Sequence, residues 1–175
     1  KGSEMYFDVD TLLLSVGLIP ENTLAEEAGI EMDHSIRGPV VDENYMTSVP
    51  GIFACGNGLH VHDLADFVTK QAGEAAVGAA RYYESLKGQL TETKNRNQIT
   101  ADSATSEYED VALADNSYCE VHAGNLVGYV VPAKLHKENL PKAVTFYFRV
   151  RRPMNDITIE ILKGDKLLRS IYKDV

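Results

Sequence analysis

The residues of this 175-residue chain whose types and order can do chemistry are concentrated between Gly38 and Ala76. The order there is a short strand at Val40–Val41, a loop with Thr47 and Ser48, a buried strand at Ile52–Ala54, then Gly56, Asn57 and the start of a helix. A glycine at a strand end lets a ligand approach the backbone with no Cβ in the way. A polar side chain directly after it can hydrogen-bond a hydroxylated chain. The helix that follows offers free N–H groups and a partial positive charge to an electron-rich ligand edge. His60, His62, Asp63 and Asp66 form a second cluster. Its His-x-His spacing occurs in metal-dependent hydrolases, but those need a whole barrel and further ligands. No metal is therefore assigned, and the cluster reads as a polar loop or a pocket lining. Cys55 precedes Gly56 without a second cysteine nearby and reads as a small core residue. No side chain in the chain qualifies as a general acid, base or nucleophile.

The elements that must position these residues follow from periodicity. Asp8 to Val16 is an almost continuous apolar run closed by Gly17 and Pro20, the pattern of a strand buried in a sheet. Thr23 to Gly29 reads as a short helix with Thr23 at the N-cap, Glu26 three residues on and Gly29 as the stop. A long helix is expected from about Leu64 to Leu86, with Asp63 as N-cap and Gly88 as the C-terminal stop. Seven of the nine residues from Ala72 to Ala80 are Ala or Gly, smooth enough for close approach to a neighbour. Residues 89–103 are polar and read as a linker between an α/β unit at 1–88 and a small antiparallel β-sandwich at 104–175. In the latter, Val144, Phe146, Phe148 and Val150 alternate as a buried face against Thr145, Tyr147, Arg149 and Arg151. Ile157, Ile159 and Ile161 repeat the alternation, Gly164-Asp165 turns a hairpin, and Gly124-Asn125 turns a strand near Val121 into Leu126–Val131.

The net charge of −9 is unevenly spread: residues 134–175 carry ten Lys/Arg against five Asp/Glu, while the rest is strongly acidic. The acidic total argues against nonspecific nucleic-acid binding, and the basic tail leaves docking to another domain or subunit open. No apolar run approaches the roughly 18 residues of a membrane span. Two distant cysteines with no Cys-x-x-Cys exclude a disulfide framework or cysteine zinc site within this chain and suit a reducing cytoplasm. Lys1 in place of Met leads to the expectation that the natural beginning lies upstream.

With these residues in view, Thr47-Ser-Val-Pro-Gly-Ile-Phe-Ala-Cys-Gly56-Asn57 resembles the second flavin-binding motif of the two-dinucleotide-binding-domain flavoproteins, the thioredoxin-reductase and pyridine nucleotide-disulfide oxidoreductase group. Thr47, Ile52, Phe53, Ala54 and Gly56 carry the match. Asp10, Gly17, Pro20 and Asn22 are similar to the segment that returns the chain from the NAD(P)H domain to the FAD domain. The stretch His60 to Thr69 is most similar to members associated with anaerobic glycerol-3-phosphate dehydrogenase or sarcosine-oxidase-type subunits. The resemblance implies the C-terminal part of a two-domain FAD fold. In the intact protein it implies FAD as cofactor and NAD(P)H as electron donor, with electrons passing onward to a disulfide, a cofactor or a partner subunit. Carried over residue by residue, it implies cofactor contacts at Gly17, Gly56, Asn57, Leu64, Ala65 and Asp66. Asn57 stands where the family has an acidic residue on a ribityl hydroxyl, and its amide can still bond there. No Gly-x-Gly-x-x-Gly occurs in the chain. The resemblance therefore places both pyrophosphate loops, and any redox Cys-x-x-Cys, in N-terminal and NAD(P)H-binding regions upstream of Lys1, and implies that this chain alone is inactive. The departure at Asn57 also keeps a cofactor-free binding or regulatory module open, and a β domain that serves for partner docking, independent of flavin, is a third alternative.

Overall fold

The computed structural model describes residues 2–96, 118–137 and 140–174. Residues 2–19 form no strand, and Leu12, Leu14, Val16, Leu18 and Ile19 are all exposed, with Leu13 at 91%. The expected buried strand at 8–16 is therefore absent. A strand needs a neighbour to take its backbone hydrogen bonds, and no described strand pairs with this one.

Helix α1 spans Thr23–Glu27. Asn22 rather than Thr23 occupies the cap position, and its side chain leaves the helix uncapped to donate to the carbonyls of Arg37 and Gly58, both at 2.8 Å. Gly29 stops the helix as expected. Its φ of +72° lets its N–H reach the Glu26 carbonyl while the Ile30 N–H reaches Ala25, a Schellman closure that carries Ile30 into the interior. Strands β1 (Met32–Asp33) and β2 (Gly38–Pro39) pair antiparallel. The expected strands at Val40–Val41 and Ile52–Ala54 shrink to isolated bridges, Val41 with Thr47 and Met46 with Phe53.

Helix α2 runs Ala65–Arg96, straight through Gly88, so the first eight residues of the expected linker are helical and the rest lie outside the described residues. Asp63 does not cap it; its carboxylate instead takes the Arg149 guanidinium at 2.6 Å. The smooth stretch of α2 packs closely as expected. A Cβ on Gly78 would stand 2.1 Å from the Asn44 carbonyl oxygen, a contact only glycine permits.

The C-terminal region contains β3 (Tyr118–Glu120), β4 (Val127–Val131), β5 (Lys134–His136), β6 (Tyr147–Val150), β7 (Ile157–Lys163) and β8 (Lys166–Lys173). They form three two-stranded antiparallel ladders, β3–β5, β4–β6 and β7–β8. The turn at Gly124 exists, with the Val127 N–H on its carbonyl, but β3 pairs with β5 rather than with β4. The β7–β8 hairpin turns at Gly164-Asp165 as read, yet Leu162, Leu167, Leu168 and Tyr172 remain exposed.

The buried core draws residues from both sides of the expected linker. Val131 of β4 is buried with Ile36, Val41, Tyr45, Leu59 and Ala75, and Tyr129 and Tyr147 pack against that cluster. The N–H groups of Ala133 and Lys134 both reach the Val41 carbonyl, at 3.2 and 3.3 Å. The expected faces of β6 are accordingly exchanged at its centre: Tyr147 packs on the shared core and Arg149 reaches Asp63, while Phe148 is exposed. The face of β6 that bears Tyr147 and Arg149, expected in solvent, is the one that meets the N-terminal part.

Candidate functional site

The turn after Phe53 is where the backbone does something unusual. Gly56 is buried at φ +66°, a conformation that favours glycine, and a Cβ there would press on the Val68 side chain at 3.3 Å. It opens a short 3-10 turn, Gly56–Gly58, whose first carbonyl accepts the Leu59 and His60 N–H groups. Its own N–H donates to Gln71 Oε1 at 2.7 Å, tying the turn to the second turn of α2.

Gln71 is 0% exposed and is the hub of the site. Because Gly56 N–H can only donate, the Gln71 oxygen must face it, and the same oxygen lies 2.9 Å from His62 Nε2. The Gln71 amide nitrogen then faces His60 Nε2 at 3.0 Å, which must accept. That leaves the His60 proton on Nδ1, directed at the Tyr129 hydroxyl 3.3 Å away, and a proton on His62 Nε2. One tautomer for each imidazole follows from a single backbone N–H. The two rings lie with centroids 4.1 Å apart and are flanked by Tyr129 and Tyr147. His60 is 3% exposed; burial, reinforced by His62 and Arg149, lowers its pKa to about 4, so it is neutral at pH 7.

Of the expected contacts, Gly56 and Asn57 lie in the 3-10 turn, and Leu64, Ala65 and Asp66 stand at the start of α2, the helix that Gln71 ties to that turn. Asn57 is exposed and its Oδ1 accepts the His62 N–H at 3.1 Å, which leaves the amide N–H₂ group turned away from that bond. Leu64 precedes α2, and Ala65 and Asp66 open it, where helix geometry provides no carbonyl partner for their N–H groups. Asp66 puts a negative charge in that first turn, which stabilises the helix. Gly17 is not drawn in: it sits in the exposed arm at φ +83°, and nothing lies within 4 Å of where its Cβ would be. Cys55, expected in the core, is exposed because the β-bridge ends at Phe53.

Gln71 and Tyr129 escaped the sequence reading. A lone Gln inside an Ala/Gly-rich helix face is a visible signal of a buried polar link. Tyr129 offers none, since its partner lies 69 residues away.

Residues 1–81 match the family model described as pyridine nucleotide-disulphide oxidoreductase. Among curated relatives, the chain is 34% identical to a ferredoxin–NADP reductase from Leuconostoc mesenteroides over 79 residues, covering 43% of this chain and 24% of the relative. It is 36% identical to a thioredoxin reductase from Listeria monocytogenes over 91 residues, covering 51% of this chain and 28% of the relative. The chain thus spans about a quarter of the length of these relatives. No solved structure matches. Over residues 1–81 the chain is similar to this oxidoreductase family, a likeness that implies a dinucleotide-binding fold for that stretch. No helix among the described residues is long and apolar enough to cross a membrane.

Proposed function

We propose that this chain contributes the flavin-facing corner of an FAD-dependent oxidoreductase that takes electrons from NAD(P)H and passes them to a disulfide, a cofactor or a partner subunit. The observation that carries the reading is the Gly56 turn locked to α2 through Gln71, which fixes a polar side chain and a helix N-terminus at one exposed corner. The donor chemistry fits a flavin. The free amide of Asn57 suits a ribityl hydroxyl, and the first-turn N–H groups of α2 at Ala65 and Asp66 suit the electron-rich pyrimidine edge. Bound flavin supplies hydride acceptance and onward electron transfer; the residues of this chain orient it and stabilise charge at that edge.

The similarity of His60–Thr69 supports a narrower placing, beside proteins associated with anaerobic glycerol-3-phosphate dehydrogenase or sarcosine-oxidase-type subunits. The remaining binding elements, including the pyrophosphate loops, belong on this reading to N-terminal and NAD(P)H-binding regions outside these residues, in a cytoplasmic protein, and the 175-residue chain alone is inactive. The basic C-terminal strands are then available to a partner subunit.

The test is FAD dissociation from the intact protein carrying Asn57→Ala or Asn57→Asp. The loss of one hydrogen bond, about 0.5–1.5 kcal/mol net and up to ~3 where a partner is stranded, predicts roughly three- to a hundredfold weaker binding for Ala. Asp keeps an acceptor and is tolerated. Unchanged affinity in Ala together with abolished affinity in Asp would remove Asn57 from the ribityl chain. Titration of the 175-residue chain with FAD, followed by flavin fluorescence, should show no tight stoichiometric binding.

A further inference from the structure

A second constellation lies on the other side of Val41. Asp42 and Glu43 follow that bridge residue, and His136 ends β5, brought alongside by the two N–H groups that Ala133 and Lys134 place on the Val41 carbonyl. One carboxylate oxygen from each acid and one imidazole nitrogen all lie within 4.8 Å of one another. His136 Nδ1 is 2.8 Å from Glu43 Oε1 and 3.8 Å from Asp42 Oδ2, and the His136 backbone N–H donates to Glu43 Oε2 at 3.0 Å.

The second observation is an orphan atom. Asp42 is 3% exposed, and its Oδ1 accepts the Asn44 and Met46 N–H groups at 2.8 and 3.0 Å. Its Oδ2, equally buried and aimed at His136, has no hydrogen-bond partner. Buried polar atoms are almost always satisfied, so an orphan in a native interior needs an explanation. Charge points the same way. Two adjacent buried carboxylates face one imidazole, which can offset at most one negative charge. The neighbouring Lys134 is turned to Glu31 at 2.5 Å. Among the described residues no Lys or Arg pairs with Asp42 or Glu43.

We propose that Asp42, Glu43 and His136 form a site for a divalent cation of the zinc class, which fastens β5 to the 42–46 loop. Ligand atoms around such an ion, at bonds of about 2.0–2.2 Å, stand roughly 3–3.5 Å apart; the two distances from His136 Nδ1, 2.8 and 3.8 Å, straddle that spacing. One imidazole and two carboxylates form the mixed nitrogen and oxygen set that suits zinc or manganese. A cavity of about 130 Å³ touches the group at Asp42, with Thr47, Ser48, Tyr118 and Lys134 also in its lining. Binding replaces the His136–Glu43 hydrogen bond with two bonds to the metal and gives Asp42 Oδ2 its missing partner. The site is remote in role from the Gly56 corner and stands whether or not that corner holds a flavin.

The probe is Zn²⁺, added to the full metal-free chain in competition with a chromogenic zinc indicator, with Co²⁺ absorption as a second readout. The expected result is one equivalent bound, a zinc-dependent rise in the thermal midpoint, and visible Co²⁺ bands of a nitrogen/oxygen site. Asp42→Asn and His136→Gln should each weaken binding at least tenfold and abolish the thermal rise, while His122→Ala and His34→Ala leave both intact. Should Asp42→Asn fail to fold by circular dichroism, His136→Gln, which retains a donor for Glu43, decides. Absence of stoichiometric binding, or affinity that survives His136→Gln, overturns the proposal.

Discussion

Residues 8–19 hold Leu12, Leu13, Leu14, Val16, Leu18 and Ile19, and every one of them stands in solvent. Residues 56–71 hold Gly56, His60 and Gln71, and these are buried. The difference lies in where the backbone and polar groups find partners. Among the described residues the apolar arm has no strand beside it, so ordering it would cost conformational entropy with no ladder and no covered face in return. In the polar corner each group answers another: Gly56 N–H to Gln71, Gln71 to both imidazoles, His60 to Tyr129. Hydrophobicity states a demand for burial, and the surrounding chain determines whether it is met.

The largest effect should come from removing the hub. Gln71→Ala leaves Gly56 N–H and His60 Nε2 without the partner that each has in Gln71, and opens a void beside them. At about 1–3 kcal/mol for each stranded group, a loss of about 3 kcal/mol or more is expected in denaturant unfolding. A loss under about 1 kcal/mol would show that water replaces the side chain freely and that the corner is not closed.

Next in size is the response to acid. His60 has a folded pKa lowered to about 4 against an ordinary 6.5, so the unfolded chain binds the proton more readily between those values. Its contribution to stability is complete above about pH 6.5 and is lost as pH falls towards 4, below which it changes no further. The shift corresponds to at most about 3 kcal/mol. His60→Gln should flatten the pH dependence of unfolding over that window relative to the parent chain. The His60 ring signals in NMR should titrate near pH 4, and a midpoint above 6 would mean that the imidazole is solvated.

Much of the local structure could be read from the residues alone. Gly29 as a helix stop, Gly164-Asp165 as a hairpin turn and the close packing of the Ala/Gly stretch rest on chemistry within a few positions of the residue concerned. The Gly56–Asn57 turn before a helix was equally legible, because its glycine requirement is local. What could not be read is whatever depends on distant partners. His60 meeting Tyr129, and His136 meeting Glu43, span 69 and 93 positions. The inversion at Tyr147 has the same origin, since alternation identifies two faces of a strand but not which one the rest of the chain will cover. The placement of Val131 in one core with Val41 could not be read for the same reason.

The smallest effect, and the one that separates the two regions most directly, concerns the arm. Leu13 is 91% exposed, so in the 175-residue chain Leu13→Ala should change unfolding free energy by no more than about 0.5 kcal/mol. The proposed function makes a different demand on the intact protein. There the apolar run from Asp8 to Val16 enters a sheet supplied by further chain and is buried on both faces, as such continuous runs are in parallel sheets. In that setting the same substitution should cost about 2–5 kcal/mol, the range for truncating a buried leucine. The measurement is urea unfolding of the parent and Leu13→Ala forms, once in the short chain and once in the intact protein. A near-zero difference in the first and a large one in the second would show that the arm's exposure reflects an absent neighbour. Small differences in both would mean that the arm is a solvent-facing tail and that the strand assigned to it belongs to no sheet.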